Sequence, residues 1–222
     1  MKLGMIDYGR GNLRSVINAC RSLGYDPGLI TKPEEFAEFT HLIFPGQGAF
    51  GDCMDSLRRL DLVESLREWI SSGKPYFGIC VGYQLLFDAS EESPGTAGLG
   101  LVHGTVKRFT SKEVKVPHMG WNALDLKMPD SPFWKGFDNK PYFYFVHSYY
   151  PTGVDPKVIS ATCGYGQEKF CAVIEKGNLL ATQFHPEKSQ HAGLDLLENF
   201  LNQSSRSNQK NAPQLPGTHL KG

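Results

Sequence analysis

The sequence predicts an α/β fold: a mostly parallel open sheet with helices on both faces, joined to a strand-rich second half. Three observations carry this reading. Short apolar runs alternate with helical periodicities over residues 1–90, glycine or proline marks most of the changes, and after Gly98 the helical period gives way to short alternating or aromatic runs.

The elements follow in order. Leu3 to Ile6 is a short apolar run closed by Tyr8-Gly9-Arg10-Gly11, and Leu13, Val16, Ile17, Cys20 and Leu23 then recur at helical spacing until Gly24 stops them. Gly28 to Thr31 is a second strand, and His41 to Phe44 a third that ends in Pro45-Gly46. From Ser56 to Ser72 one helical face carries Leu57, Leu60, Val63, Leu66 and Ile70. Pro75 to Cys80 is a fourth strand, followed by a helix from Gly82 to about Ala89. Strands separated by helices of this length imply right-handed crossovers and parallel pairing. Between Gly98 and Ala181 strands are expected at Leu101–Phe109, Tyr142–Tyr150, Val158–Thr162, Phe170–Glu175 and Leu179–Phe184, and a closing helix at about Gln190–Leu201. The polar stretch 204–222 holds too few large apolar groups to offset the entropy of ordering it, so the folded domain is expected to span 1–203 with a disordered tail or linker behind it.

Composition narrows the function. Lysine and arginine number 23 against 23 acidic residues, so no net charge exists to drive binding to nucleic acid or anionic membranes. No apolar stretch is long enough to span a bilayer, and Asp7 interrupts the N-terminal run too early for a signal peptide, which points to the cytoplasm. Five scattered cysteines without a CxxC pair argue against a disulfide framework or a zinc ribbon. Gly9-Arg10-Gly11 lacks the third glycine and the downstream acid of a dinucleotide fingerprint. His41, His103, His118 and His191 show no ligand spacing, so neither metal nor cofactor is expected. Cys163 and Cys171 flank a glycine-rich turn and are placed to face one another across a hairpin as reduced thiols.

Two segments carry chemistry. Gly78-Ile79-Cys80-Val81-Gly82 sets a thiol between glycines where a strand hands over to a helix, the arrangement of a nucleophile elbow with cysteine in place of serine. Such a bend strains the nucleophile's backbone and pushes the sulfur towards solvent, while the helix start supplies N–H groups for an oxyanion. The alternative is a buried cysteine that merely ends a strand. Phe184-His185-Pro186-Glu187 supplies a base and an orienting carboxylate, because residues two apart in an extended chain share a side. Taken singly, His185 equally suits a histidine satisfied at a strand end, and Glu187 a helix N-terminal acid.

Gly78-Ile79-Cys80-Val81-Gly82-Tyr83-Gln84 together with Phe184-His185-Pro186-Glu187 resembles the two signatures of the class I, triad-type glutamine amidotransferases. Pro117-His118-Met119-Gly120-Trp121-Asn122, Tyr144-Phe145-Val146-His147-Ser148-Tyr149 and His185-Pro186-Glu187-Lys188-Ser189 further resemble the glutaminases of imidazole glycerol phosphate synthases, whether separate subunits or halves of a fused chain. The likeness runs from Lys2 to about Gln203.

The resemblance implies a flavodoxin-like open sheet and a Cys80, His185, Glu187 triad that hydrolyses glutamine to glutamate and ammonia through a thioester. It places the oxyanion at the Val81 amide and the Gln47-Gly48 peptide of the Pro45-Gly46-Gln47-Gly48 loop. Glutamine would be held by Gly46, Gly48, Gln84, Glu92 and the backbone of His147, Ser148 and Tyr149. Relatives usually carry a small apolar residue where this chain has Gln47, so the ease with which the oxyanion peptide turns is expected to differ. The chain is too short for a second catalytic domain, so the resemblance also implies a heterodimer. The partner is a (β/α)8-barrel cyclase that uses the ammonia to make imidazole glycerol phosphate and AICAR, facing Asn12, Met119, Trp121, Tyr142, Tyr144 and Lys188. Trp121 suits an interface anchor or a core tryptophan equally. The subunit alone is expected to be nearly inactive. Two other readings stay open: a glutamine-binding scaffold with a vestigial triad, and a glutaminase serving a different acceptor such as a nucleotide synthase.

Overall fold

The computed structural model describes residues 1–9 and 12–202. The expected tail at 204–222 lies outside the described residues.

Strand β1 (Leu3–Ile6) leads to helix α1 (Leu13–Ser22), then to β2 (Gly28–Ile30) and β3 (His41–Gly46). Helix α1 buries Val16, Ala19 and Cys20 at helical spacing, and the Asn12 amide ahead of it donates to Ser15 Oγ at 2.6 Å. Helices α2 (Phe50–Arg59) and α3 (Leu62–Ser71) stand where one helix from Ser56 to Ser72 is expected. The break falls at Asp61, whose φ of 59° is left-handed and ends the helical run. The onset is missed because Gly51 and Asp52 dilute the apolar pattern, although Phe50, Cys53, Met54 and Leu57 are all buried.

After β4 (Tyr76–Cys80), helix α4 spans only Val81–Gln84 rather than reaching Ala89. The carbonyls that would extend it are taken by another segment: Leu99 N–H donates to Leu85 O, and the N–H groups of Leu101 and Val102 donate to Leu86 O. Short strands β5 (Ala89–Ser90) and β6 (Thr105–Arg108) follow, and then β7 (His118–Leu126), β8 (Tyr142–His147) and β9 (Tyr149–Thr152), where Ser148 splits the single run expected over Tyr142–Tyr150. Strands β10 (Ile159–Tyr165), β11 (Glu168–Lys176) and β12 (Leu179–Thr182) complete the set, and α5 (Gln190–Asn202) closes the domain through buried Leu196, Leu197, Phe200 and Leu201.

Nine strands form one sheet in the order β2-β1-β3-β4-β12-β11-β10-β7-β8, and β5-β6-β9 form a second. From β2 to β12 the pairing is parallel, as the crossover connections require, and from β12 to β8 it is antiparallel. Strands β7, β8, β10 and β11 of the strand-rich half thus extend the parallel sheet, while β5, β6 and β9 stand apart from it. Its core continues through Phe143, Phe145, Phe170 and Phe184, with Phe143 and Phe184 stacked at 4.0 Å between ring centroids.

The hairpin cysteines do not face each other. Thr162 pairs with Cys171 and Cys163 with Phe170, so the two thiols sit one register apart and point to opposite sheet faces. None of the five cysteines is in a disulfide among the described residues. No described helix is long and apolar enough to cross a membrane.

Candidate active site

Strands β3, β4 and β12 run parallel and end together, which opens a crevice at their carboxyl ends where open α/β sheets hold ligands. Cys80 is the last residue of β4 and adopts φ 53°, ψ −102°, a strained conformation for a residue with a side chain. Space explains the glycines around it. A Cβ at Gly78 would lie 2.7 Å from Gly82 O, and one at Gly82 would overlap the Phe44 carbonyl. Gly46, paired with Cys80 across the sheet, would bring a Cβ to 2.7 Å from Gly82 N. The bend therefore needs three bare backbone positions packed on one another.

The sulfur does not project into open solvent as expected: Cys80 is only 6% exposed. It faces a cleft of about 390 Å³, open to solvent on one side and lined by Gln47, Gly48, Val81, Gln84, Glu92, Pro117, Val146, His147, Ser148, Tyr149, His185 and Lys188. The strand-rich half supplies the cover that an isolated strand–helix bend lacks.

His185 stands at the head of a short turn, Pro186–Lys188, and hydrogen-bonds the Cys80 sulfur on one side and Glu187 on the other, with Nδ1 to Oε1 at 2.8 Å. Burial alone would lower its pKa. Its electrostatic interaction and hydrogen bond with Cys80, joined by the Glu187 carboxylate, outweigh burial and raise it to about 10. The imidazole is thus held as a proton donor between two acceptors.

Three further hydrogen bonds order this turn, two of them against β8. His185 N–H donates to Tyr144 O at 3.0 Å, Tyr144 N–H donates to Ser189 Oγ at 3.0 Å, and the Ser189 hydroxyl donates to His185 O at 2.7 Å. No pattern in the sequence assigns Ser189 this role.

On the far side of the cavity, the Tyr8 hydroxyl accepts the Gln47 backbone N–H, and burial, ahead of neighbouring Cys53, raises the phenol's pKa far above its usual value. Gly48 has φ 116° and an open surround, with only Cys53 Sγ within 4 Å of a Cβ built there. Gln47 and Gly48 therefore line the cavity beside Val81, whereas Gly46 lies beneath the bend, sealed from it. Glu92 reaches the cavity while its Oε2 accepts the Phe50 N–H at 2.7 Å. Gln84 is 4% exposed, and its amide donates at 3.0 Å both to Tyr149 O and to Gln183 Oε1.

Gln183, fully buried between β12 and His185, donates from Nε2 to the Cys80 sulfur at 3.7 Å. Sequence reading passed over it because an amide beside a histidine carries no motif of its own. His118, which has no metal-ligand spacing in the sequence, belongs instead to a network: its Nδ1 meets His147 Nε2 at 3.0 Å, and His147 Nδ1 donates to Tyr149 O at 2.8 Å.

Among the expected partner-facing residues, Met119, Trp121 and Tyr142 are 61%, 46% and 59% exposed on the β7–β8 pair, and Trp121 stands edge-on to Tyr144 at 6.2 Å. Lys188 lines the cavity itself, and Asn12 lies part-buried ahead of α1. Trp134, not Trp121, is the core tryptophan of this half.

The family model for class-I glutamine amidotransferases matches residues 4–204. The chain belongs to that family. Among curated relatives of this amidotransferase, the imidazole glycerol phosphate synthase subunit HisH of Rhodopirellula baltica is 47% identical over 197 residues, covering 88% of this chain and 95% of the relative. The subunit of the same name from Acaryochloris marina is 44% identical over 203 residues, covering 90% and 94%. The fold agrees with solved structures too: a glutamine amidotransferase crystal structure superposes with a TM-score of 0.71 at 20% identity over 90% of this chain and 97% of the other. PurLQS from Thermotoga maritima gives 0.71 at 19% over the same shares.

Proposed function

We propose that this amidotransferase is the glutaminase subunit of an imidazole glycerol phosphate synthase in histidine biosynthesis, with Cys80, His185 and Glu187 as its catalytic triad. The observation that carries the chemistry is the interaction of His185 with the Cys80 sulfur on one side and its 2.8 Å hydrogen bond to Glu187 on the other, at the wall of an open cleft. Relatives above 40% identity over nearly the whole chain support the pathway.

The geometry performs the reaction in two stages. The Cys80 sulfur attacks the side-chain carboxamide carbon of glutamine, and the electron pair of the C=O bond moves onto oxygen. The Val81 and Gly48 amides are the donors assigned to that oxyanion, each lowering the barrier by about 3 kcal/mol. His185 gives its proton to the departing nitrogen, ammonia leaves, and a thioester remains on Cys80. Water then attacks the thioester with His185 as base, releasing glutamate and restoring the thiol. Glu187 holds the imidazole in the tautomer that presents Nε2 to sulfur.

Gln84 and Glu92 are the side chains assigned to glutamine, with the backbone of His147, Ser148 and Tyr149. Ammonia released here passes to a (β/α)8-barrel cyclase, docked on the face that carries Met119, Trp121 and Tyr142, and the domain is taken to end near residue 203. Replacing Cys80 by alanine and measuring glutamate release with the cyclase present tests the assignment: a loss of about a thousandfold or more is expected, with cyclase binding retained. Glutamate production that survives in the C80A protein would overturn it.

A further inference from the structure

We propose that Gln183 is a further catalytic residue: its side-chain amide donates a hydrogen bond to the nucleophilic sulfur of Cys80 and is held in that orientation by Gln84. The inference rests on Cys80 being the nucleophile and adds a group that the triad does not contain.

The direction of the hydrogen bonds follows from one atom. Tyr149 O is a backbone carbonyl and can only accept, so the Gln84 atom 3.0 Å away is its NH2 group. That same nitrogen lies 3.0 Å from the Gln183 amide, which must therefore present its oxygen to Gln84 and its NH2 to the sulfur. A flipped Gln183 would set two donors against each other on one side and a carbonyl oxygen against an electron-rich sulfur on the other, inside a region where Gln183 has no solvent contact.

The anchor itself is fixed by a second chain. Tyr149 O also accepts from His147 Nδ1 at 2.8 Å, which leaves His147 Nε2 as an acceptor and makes His118 Nδ1, 3.0 Å away, the donor. His118 Nε2 then accepts from the Asn122 amide at 3.4 Å. Burial lowers the pKa of both rings, to about 4 for His118 and about 3 for His147, so both stay neutral and the polarity of the chain is preserved at neutral pH. Every polar group from Asn122 to Cys80 has one consistent role.

A neutral donor aimed at sulfur stabilises the thiolate over the thiol and adds no charge to the site. It does so at some expense of intrinsic nucleophilicity, because a thiolate that gains stability becomes a weaker attacker. This separates Gln183 from a residue that merely fills space. Loss of the donor raises the pH at which sulfur becomes reactive while the limiting rate at high pH holds or rises, whereas loose packing lowers the limiting rate.

The test is alkylation of the whole chain by iodoacetamide across pH, with modification of Cys80 read by peptide mass, for the native protein and for Gln183→Met, which keeps the volume and removes the donor. The midpoint is expected to move up by about one pH unit, with an undiminished limiting rate. Gln84→Met leaves Gln183 in place but frees its amide to turn, and should move the midpoint the same way by less; it carries the test if the first variant does not fold. An unchanged midpoint in the folded variant, or a lowered limiting rate with no shift, would overturn the role of Gln183 alone. A native protein whose Cys80 resists alkylation at every pH would overturn the assignment of the nucleophile, and this role with it.

Discussion

The two halves of this sheet shape the same cavity by different means. In the parallel half, backbone lies against backbone: glycines at 46, 78 and 82 stand where any Cβ would meet neighbouring main chain at 2.7 Å or less. In the antiparallel half, Gly164 has open space around it, and the close contacts are made by side chains instead, by paired histidines, stacked phenylalanines and a buried glutamine. The first half fixes the place of one sulfur through main-chain geometry. The second surrounds that sulfur with polar groups whose protonation and direction matter.

The sharpest way to break this comparison is to add a single methyl group to each half. Gly82→Ala should prevent folding or cost about 4 kcal/mol or more, because the methyl and the Phe44 carbonyl cannot share the space. Gly164→Ala should stay within about 0.5 kcal/mol of the native protein. Denaturant unfolding of both variants reads the difference, and equal losses would erase the distinction.

A pH series probes the antiparallel half next. His118 and His147 titrate near 6.5 in an unfolded chain but near 4 and 3 in the fold. Above pH 6.5 both rings are neutral in either state and the pair carries no penalty. As pH falls below 6.5 the unfolded chain takes up protons that the fold refuses, so stability is lost progressively until the folded rings protonate near pH 4 to 3. Near pH 5 the loss is about 2 kcal/mol for each ring. The assigned ring signals of His118 and His147 should stay fixed in NMR spectra from pH 8 to about 5, and either of these two rings titrating at 6.5 would refute it.

The smallest expected effect on the fold comes from the exposed face. Trp121→Ala should leave unfolding nearly unchanged, since the ring is 46% exposed, yet weaken the cyclase complex by about 2 kcal/mol, or roughly thirtyfold in affinity. Calorimetric titration with the cyclase checks this, and undiminished affinity would remove Trp121 from the interface.

The same contrast governs what could be read in the sequence. β1, α1, β4 and α5 were legible because periodicity and glycine punctuation are local properties of the chain. So was the bend at Cys80, since steric exclusion demands glycine at fixed spacing. Where the outcome depended on distant segments, reading failed: α4 stops at Gln84 because Leu99 and Leu101 claim the carbonyls beyond it. Strand β7 was visible only as a resemblance, since Gly120 and the mixed polar sequence from His118 to Asn122 blur its alternation. His185 and Glu187 were legible as neighbours on one extended segment. Gln183 was not, because its partners Gln84 and Cys80 lie about a hundred residues earlier and an amide declares neither donor nor acceptor until a carbonyl is set beside it.

Strand β7 turns His118 inward, and the Asn122 amide reaches that ring, while Met119 and Trp121 stand outward. Its two sides can therefore evolve on separate clocks: the outer pair is free to drift in step with whatever it meets, while the inner pair is tied to the chemistry. A single-residue deletion in this strand would exchange the two sets at a stroke, so lineages should vary here by replacement and almost never by length.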